Sequence, residues 1–163
     1  MENEKVFNRL TISRYDFKKC KAFLGKLTSN NFRSGSIEFE ALLISAIIAY
    51  SRPFSGNESS NNAKAASRVD KAILRELTKD ELEFHEKIIK LRNKAIAHIE
   101  WENSPTGIDE NGTISTMPFS LLNKFGSTEE IIKLQDLVEK VLSETTHVSA
   151  EKYFLMDHKN SLL

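Results

Sequence analysis

The segment IIKLRNKAIAHIEW, Ile88–Trp101, forms the second half of a predicted amphipathic helix that carries an arginine in its apolar stripe and a histidine near its end. On a helical wheel of about 100° per residue, Arg92 and His85 fall among isoleucines, while Lys90 and Lys94 fall on the opposite, polar side. A guanidinium stays charged at any biological pH, so burying it without partners is costly. This segment therefore predicts either a paired arginine in a helical core or a functional arginine in a cleft.

The sequence on both sides of this segment is also patterned as helices. Capping-box pairs mark two helix starts, Thr78 with Glu81 and Ser127 with Glu130. Ser13 with Asp16 resembles a similar N-terminal pair for the first helix. The pattern predicts an all-α, up-down bundle of four to five helices. The predicted helices are Ser13–Thr28, Ile37–Tyr50, a short helix within Ala63–Leu77, Thr78–His98 and Ser127–Thr146.

The residues from 100 to 117 interrupt the helical pattern. The segment GTISTM alternates like a strand, and Asn111-Gly112 is a two-residue hairpin signal. We therefore expect a short β-hairpin inserted before the last long helix. The domain organisation that follows is a single helical domain over residues 1–146 and a polar C-terminal tail over residues 147–163.

The composition suits one globular domain and weakens one class of function. The chain has 163 residues, of which 40% are hydrophobic and 28% are charged. Lys plus Arg and Asp plus Glu both number 23, and this zero net charge argues against nucleic-acid binding over the whole surface. A local basic patch is still compatible with the sequence. Its candidate members are Lys87, Lys90, Lys94, Arg68, Lys71 and Arg75.

Several features predict a cytoplasmic protein that needs no metal ion or cofactor. Cys20 is the only cysteine, which suits a reducing compartment. The charged start, MENEKVFNRL, is unlike a signal peptide, and the longest uncharged run, Ala41–Ser51, is about half as long as a membrane span. No cluster of His, Cys and Asp has metal-ligand spacing, so we expect no metal site and no membrane partner.

Two interpretations of Arg92 follow from the residues themselves. In the first, Arg92 pairs with a carboxylate of a neighbouring helix, and His98 caps the helix end. In the second, Arg92 faces a second subunit, where a guanidinium can clamp a phosphodiester and His98 can transfer a proton. Within one straight helix the two side chains diverge by roughly 120° and lie about 9 Å apart along the axis. The second interpretation therefore needs two antiparallel copies of the helix.

The segment LRNKAIAH resembles the signature of HEPN domains (higher eukaryotes and prokaryotes nucleotide-binding), which is an arginine, a polar residue, and a histidine a few residues later. Arg92, Asn93 and His98 match this signature with five residues between the arginine and the histidine. With YSRPF about forty residues earlier, the chain looks like the prokaryotic, abortive-infection-like branch. The resemblance covers roughly residues 10–146.

The resemblance implies a homodimeric, metal-independent endoribonuclease of a defence or toxin–antitoxin system, with an RNA substrate and an antitoxin or regulatory protein as partner. Carried over to this sequence, it implies that His98 is the general base or acid. Arg92 would stabilise charge on the phosphorane, and Asn93 would orient the phosphate or His98. The product would be a 2′,3′-cyclic phosphate. The candidate substrate-binding residues are Lys94, Arg52 and Lys90.

Some alternatives stay open at the level of sequence. Members of the same family that have lost catalysis serve as nucleotide- or protein-binding modules, so the fold alone does not decide between enzyme and module. The Arg52 side chain can reach the cleft or cap the second helix through its last carbonyls. His85 is expected to be a hydrogen-bonded core or interface residue rather than a third catalytic group. Tyr50 is expected in the core.

Overall fold

The computed structural model describes residues 2–29, 32–56, 64–93, 106–108, 110–116, 121 and 124–160. These residues form four α-helices, and the all-α prediction is confirmed for this part of the chain. The helices are α1 (Glu2–Ser29), α2 (Ile37–Ser51), α3 (Lys79–Leu91) and α4 (Thr128–Asn160). Short 3-10 helices at Arg52–Phe54 and Lys71–Leu74 lie between α2 and α3.

The long helix α1 packs against both α2 and α4 and organises the core. It runs antiparallel to α4, because Lys21 pairs with Glu139 while the rings of Phe7 and Tyr153 lie 6.0 Å apart. The fully buried side chains come from all four helices and from the segments before α3 and α4. The largest of them are Tyr50, Phe17, Phe125, Leu10, Leu24, Leu43, Ile47, Ile73, Ile88, Leu121, Leu134 and Leu137.

The helix starts that depend on local capping agree with the sequence. The Thr78 hydroxyl accepts a hydrogen bond from the Glu81 N–H at 3.3 Å, and the Glu81 carboxylate accepts one from the Thr78 N–H at 2.9 Å. Ser127 and Glu130 form the same reciprocal pair at 3.2 Å in each direction. Both predicted starts are confirmed because a capping box involves residues only three positions apart.

Two predicted helix ends are wrong. The first helix begins at Glu2, and Ser13 is a buried mid-helix residue whose hydroxyl donates to the Arg9 carbonyl at 2.8 Å. The last helix does not end near Thr146; it continues through Asn160, and Val148 is fully buried. The predicted polar tail is therefore helical over residues 147–160. These two ends pack against one another, and that long-range contact stabilises helix where the local apolar pattern is sparse.

The helix α2 leads directly into the site region. Ser36 caps its start by accepting from the Phe39 N–H at 3.2 Å, and the Arg52 N–H bonds to the Ile48 carbonyl at its end. The buried Pro53 then lies in the first 3-10 helix, as expected for a residue that cannot continue an α-helix. Although α2 is the most apolar helix described, none of the described helices is both long and apolar enough to cross a membrane.

Two short strands precede α4, within the interval where the sequence predicts a hairpin. Strand β1 (Thr106–Ile108) pairs antiparallel with strand β2 (Ile114–Thr116), with Ile108 opposite Ile114. The connection spans five positions, 109–113, and is longer than the two-residue loop that Asn-Gly signals. Gly112 has a φ of +78°, a left-handed conformation that glycine adopts without strain.

Candidate functional site

One face of α3 carries a row of residues that leads to Arg92. A groove of about 500 Å³ borders this face, and Arg92 and Asn93 continue the same three- and four-residue spacing beyond it. Since a helix repeats every 3.6 residues, these positions share one side of α3. The groove residues on α3 are Leu82, His85, Glu86 and Ile89. Its other residues are Phe54, Arg68, Val69, Lys71, Leu74 and Arg75.

The Arg92 guanidinium is half-buried and bonded to the neighbouring residue of the predicted motif. Its Nη1 donates to Asn93 Oδ1 at 2.9 Å. The Arg92 backbone N–H bonds to the carbonyls of Ile88 and Ile89, so the residue continues the end of α3 in helical conformation. Within the ranges that the structure describes, no carboxylate lies within salt-bridge distance of Arg92. The described residues therefore do not supply the acidic partner that a buried structural arginine needs.

Two of the predicted site residues, His98 and Lys94, lie outside the described residues, as does the predicted helix end near His98. The described part of the motif consists of Arg92 and Asn93. The convergence of Arg92 with His98, whether within one chain or across two, stays a prediction.

The two other predicted substrate-binding residues differ in their surroundings. Arg52 Nη1 donates to Asp16 Oδ1 at 2.8 Å, so its side chain ties the end of α2 to α1. Of the two alternatives for Arg52, helix capping is made by its backbone N–H and not by its side chain. Lys90 is exposed on α3, about 160° around the helix from Arg92. Contact of either residue with a substrate stays a prediction.

His85 is buried beside the groove and is held by α2. Its side chain is 4% exposed, and its Nδ1 lies 2.8 Å from the Tyr50 hydroxyl oxygen. The ring packs edge-on against Phe54, with ring centroids 4.6 Å apart. Burial lowers the pKa of His85 and raises the pKa of Tyr50 well above its usual value, so both groups are neutral near pH 7. The prediction that His85 is a hydrogen-bonded core residue is confirmed.

Sequence reasoning missed the hydrogen bond between Tyr50 and His85. It assigned Tyr50 to the core, which is correct, but without a partner for the phenol. A buried phenol nearly always has such a partner, and His85 is a polar residue in the apolar stripe of another helix. These two facts could have suggested that Tyr50 and His85 are hydrogen-bond partners. The sequence does not show, however, that α2 and α3 bring the two side chains together.

The described members of the predicted basic patch do not share one surface. Arg68, Lys71 and Arg75 all line the groove beside His85. Arg75 is neutralised there by Glu144 at 3.1 Å and Glu151 at 3.0 Å, and the hydrogen bond that it donates to Glu151 is the main cause of its raised pKa. Arg68 and Lys71 are exposed, and neither forms a salt bridge with another described residue. The groove therefore has two cations available for an anion.

Lys87 belongs to a different surface, between α3 and α4. It pairs with Glu130 at 2.6 Å and borders a second groove, of about 520 Å³, together with Asp80, Glu83 and Asp136. Carboxylates on that rim repel a phosphate group. The groove beside His85 is therefore the better candidate for an anionic ligand.

Comparisons of this sequence with protein-family models, with curated proteins and with solved structures gave no match. Among the residues with a described position, no group of three or more His, Cys, Asp or Glu side chains is arranged to hold a metal ion.

Proposed function

We propose that this chain is a metal-independent endoribonuclease of HEPN type that acts as a cytoplasmic homodimer in a defence or toxin–antitoxin context. The observation that supports it most is the state of Arg92. This half-buried cation ends a row of groove residues, bonds to the Asn93 amide and has no acidic partner among the described residues. A cation in that state can bind an anionic substrate without first breaking an ion pair. An antitoxin or regulatory protein is the partner proposed with this function.

The reaction assigns a separate role to each motif residue. One His98 removes the proton from a ribose 2′-hydroxyl, whose oxygen attacks the adjacent phosphorus. The Arg92 guanidinium stabilises the negative charge on the phosphorane oxygens, and Asn93 orients the Arg92 side chain through their hydrogen bond. The bond to the 5′-oxygen then breaks, and a second His98 protonates that oxygen. The products are a 2′,3′-cyclic phosphate and a 5′-hydroxyl end.

The test is incubation of the purified protein with a labelled oligoribonucleotide in the presence of EDTA. We expect cleavage and a 2′,3′-cyclic phosphate, which mass spectrometry detects from the mass of the fragments. A matched oligodeoxyribonucleotide should stay intact because it has no 2′-hydroxyl nucleophile. Intact RNA at high protein concentration would contradict the proposal.

The proposed cleft, to which both subunits of the dimer contribute motif residues, has its own test. It uses two inactive variants together. Arg92→Ala and His98→Ala homodimers should each be inactive, while a refolded mixture should regain part of the activity. In a mixed dimer one subunit supplies arginine and the other supplies the one remaining His98 to the same cleft, so one of the two proton transfers is kept and the regained activity is only partial. Light scattering should show dimers throughout. A monomeric wild-type protein, or a mixture no more active than its components, would exclude a shared cleft.

The stability of Arg92→Ala separates a site residue from a structural one. We expect the free energy of unfolding to fall by less than about 1 kcal/mol, because no buried ion pair involving Arg92 is lost among the described residues. Urea unfolding of Arg92→Ala, compared with the exposed control Arg33→Ala, measures this change. A loss of more than about 3 kcal/mol would instead indicate a buried ion pair.

A second candidate function is a non-catalytic nucleotide- or protein-binding module on the same fold. The groove of about 500 Å³ favours it, since its volume suits a small ligand. The RNA assay discriminates the two functions: a module leaves RNA intact and still binds a ligand in the groove.

A further inference from the structure

The groove between α3 and the segment Arg68–Arg75 is lined by apolar residues, together called its apolar floor, and by polar residues. Apolar side chains from both walls contribute to it. Its volume, about 500 Å³, lies within the range of about 300–1,000 Å³ that is usual for small-molecule sites. The apolar lining residues are Phe54, Val69, Leu74, Leu82 and Ile89. The polar ones are Arg68, Lys71, Arg75, His85 and Glu86.

The imidazole of His85 presents a hydrogen-bond donor to this groove. The Tyr50 hydroxyl is fully buried, and His85 Nδ1 is its hydrogen-bond partner among the described residues. Leaving a buried O–H without an acceptor costs more than leaving one oxygen lone pair unused, so the phenol donates to Nδ1. The proton of the neutral imidazole is then on Nε2. Because Nδ1 is bonded to Tyr50 and His85 lines the groove, the Nε2–H group is the donor that the ring has left for a ligand there.

The nearby charges define what this donor can bind. Arg68 and Lys71 lie on the opposite wall without ion pairs to described residues, whereas Arg75 is bonded to Glu144 and Glu151. A neutral donor and two cations in the lining of one groove are suited to a phosphate group. The carboxylate of Glu86 is an acceptor at the same groove and suits hydroxyl groups rather than an anion.

We propose that this groove binds a nucleoside monophosphate unit, with its phosphate between Arg68, Lys71 and the Nε2–H of His85. The base lies on the apolar floor beside Ile89 and Leu82, and Glu86 accepts hydrogen bonds from the ribose hydroxyls. A nucleotide has the three features that the groove matches, namely an anion, hydroxyl groups and a flat apolar body.

The nucleotide can be free or part of an RNA strand. His85 and Arg92 are seven residues apart on one side of α3, which is about 10 Å along the axis. A strand with one phosphate at Arg92 can therefore place a neighbouring nucleotide in the groove. Only this extension to RNA rests on the proposed ribonuclease function; binding of a free nucleotide does not.

Calorimetric titration of the full chain tests the proposal, with 5′-AMP and 5′-UMP as probes and with adenosine and orthophosphate as partial probes. We expect the nucleotides to bind with a Kd of about 1 mM or below, and each partial probe to bind at least about tenfold more weakly. The absence of saturation by both nucleotides at about 10 mM would overturn the proposal. Equal affinity for orthophosphate and the nucleotides would overturn the role of the apolar floor.

Matched variants place the binding site in the groove. Arg68→Ala/Lys71→Ala should weaken nucleotide binding at least about tenfold, which is about 1.4 kcal/mol. The control Arg33→Ala/Lys19→Ala removes the same charges from exposed positions outside the groove and should change affinity less than about twofold. Equal losses in the two double variants would mean that net charge, not the groove, governs binding.

The role of His85 has a spectroscopic test and two contrasting variants. Nitrogen-15 NMR should show a protonated Nε2 and an unprotonated Nδ1 in the free protein, and the Nε2 resonance should shift when 5′-AMP binds. His85→Gln, whose amide can accept from Tyr50 and donate to the groove, should retain more affinity than His85→Phe. A proton on Nδ1, or an Nε2 resonance unchanged at saturating nucleotide, would overturn this role.

The outcomes for this groove and for the proposed ribonuclease are distinguishable. Nucleotide binding that depends on Arg68 and Lys71, together with intact RNA, supports the groove and contradicts the nuclease. RNA cleavage together with undetectable nucleotide binding supports the nuclease and overturns the groove. If the protein both cleaves RNA and binds the nucleotide, the affinity for an oligoribonucleotide is compared with that for 5′-AMP. Tighter binding of the oligoribonucleotide, weakened by the same variants, identifies RNA as the ligand.

Discussion

Replacement of His98 by alanine is expected to lower the rate of RNA cleavage by about 10²–10⁴-fold, the usual contribution of a positioned general acid or base. The proposed reaction uses the imidazole of one subunit to take the 2′-hydroxyl proton and that of its partner to protonate the 5′-oxygen. Alanine removes both transfers from the dimer. The cleavage rate is measured under single-turnover conditions with a labelled oligoribonucleotide in EDTA, so that product release does not limit it.

The matched control for this variant is His147→Ala. His147 Nδ1 lies 3.1 Å from Glu144 on α4, and its side chain is 63% exposed, so its loss removes only a surface interaction. We expect its cleavage rate to stay within about twofold of the wild-type rate. If His98→Ala and His147→Ala cleave at the same rate, the assignment of His98 to proton transfer is wrong.

Replacement of Arg9 by methionine is expected to lower the free energy of unfolding by about 3 kcal/mol, because two part-buried carbonyls lose a charged hydrogen-bond donor. The Arg9 side chain donates to the carbonyls of Ala66 at 2.8 Å and Ser67 at 2.6 Å. It is 5% exposed, and burial lowers its pKa while Asp16 opposes that shift. Methionine has a similar length but no donor, so packing is largely kept while these hydrogen bonds are lost.

Urea unfolding measures this effect from the shift in the transition midpoint at an unchanged slope. Arg33→Met is the control, because Arg33 is exposed and the same substitution there should change stability by less than about 0.5 kcal/mol. A loss below about 1 kcal/mol in Arg9→Met would show that water replaces the guanidinium at the two carbonyls. The segment that Arg9 holds leads into Arg68 and Lys71, so Arg9→Met should also weaken nucleotide binding in the groove.

The parts of the fold that could be predicted are those governed by neighbouring residues. The capping boxes at Thr78 and Ser127 and the start of α2 agree with the structure because they depend on residues within one helical turn. The start of α1 and the end of α4 were predicted wrongly because these helix ends are stabilised by packing against each other, as Phe7 and Tyr153 show. Hydrophobic periodicity within either helix does not include that contact.

The candidate site also has features that the sequence could predict and features that it could not. The position of Arg92 in the apolar stripe of α3 follows from helical geometry, so the sequence could predict it. Asn93 points about 100° away, and its hydrogen bond to Arg92 is seen only in the structure. The sequence could also nominate Arg68, Lys71 and Arg75 as cations. It could not show that Arg75 is neutralised by Glu144 and Glu151, two residues on a helix about seventy positions away.

The sequence by itself determined the helical class, the capped starts of α3 and α4 and the chemistry available near Arg92, because each follows from interactions within a few residues. Only the tertiary structure decided that Tyr50 on α2 binds His85 on α3 and that Arg68 and Lys71, which form no salt bridge with another described residue, border the same groove. The physical reason is that burial changes the protonation of a side chain, and long-range pairing decides whether its charge is neutralised by an opposite charge. Those changes depend on which helices meet, not on which residues adjoin along the chain.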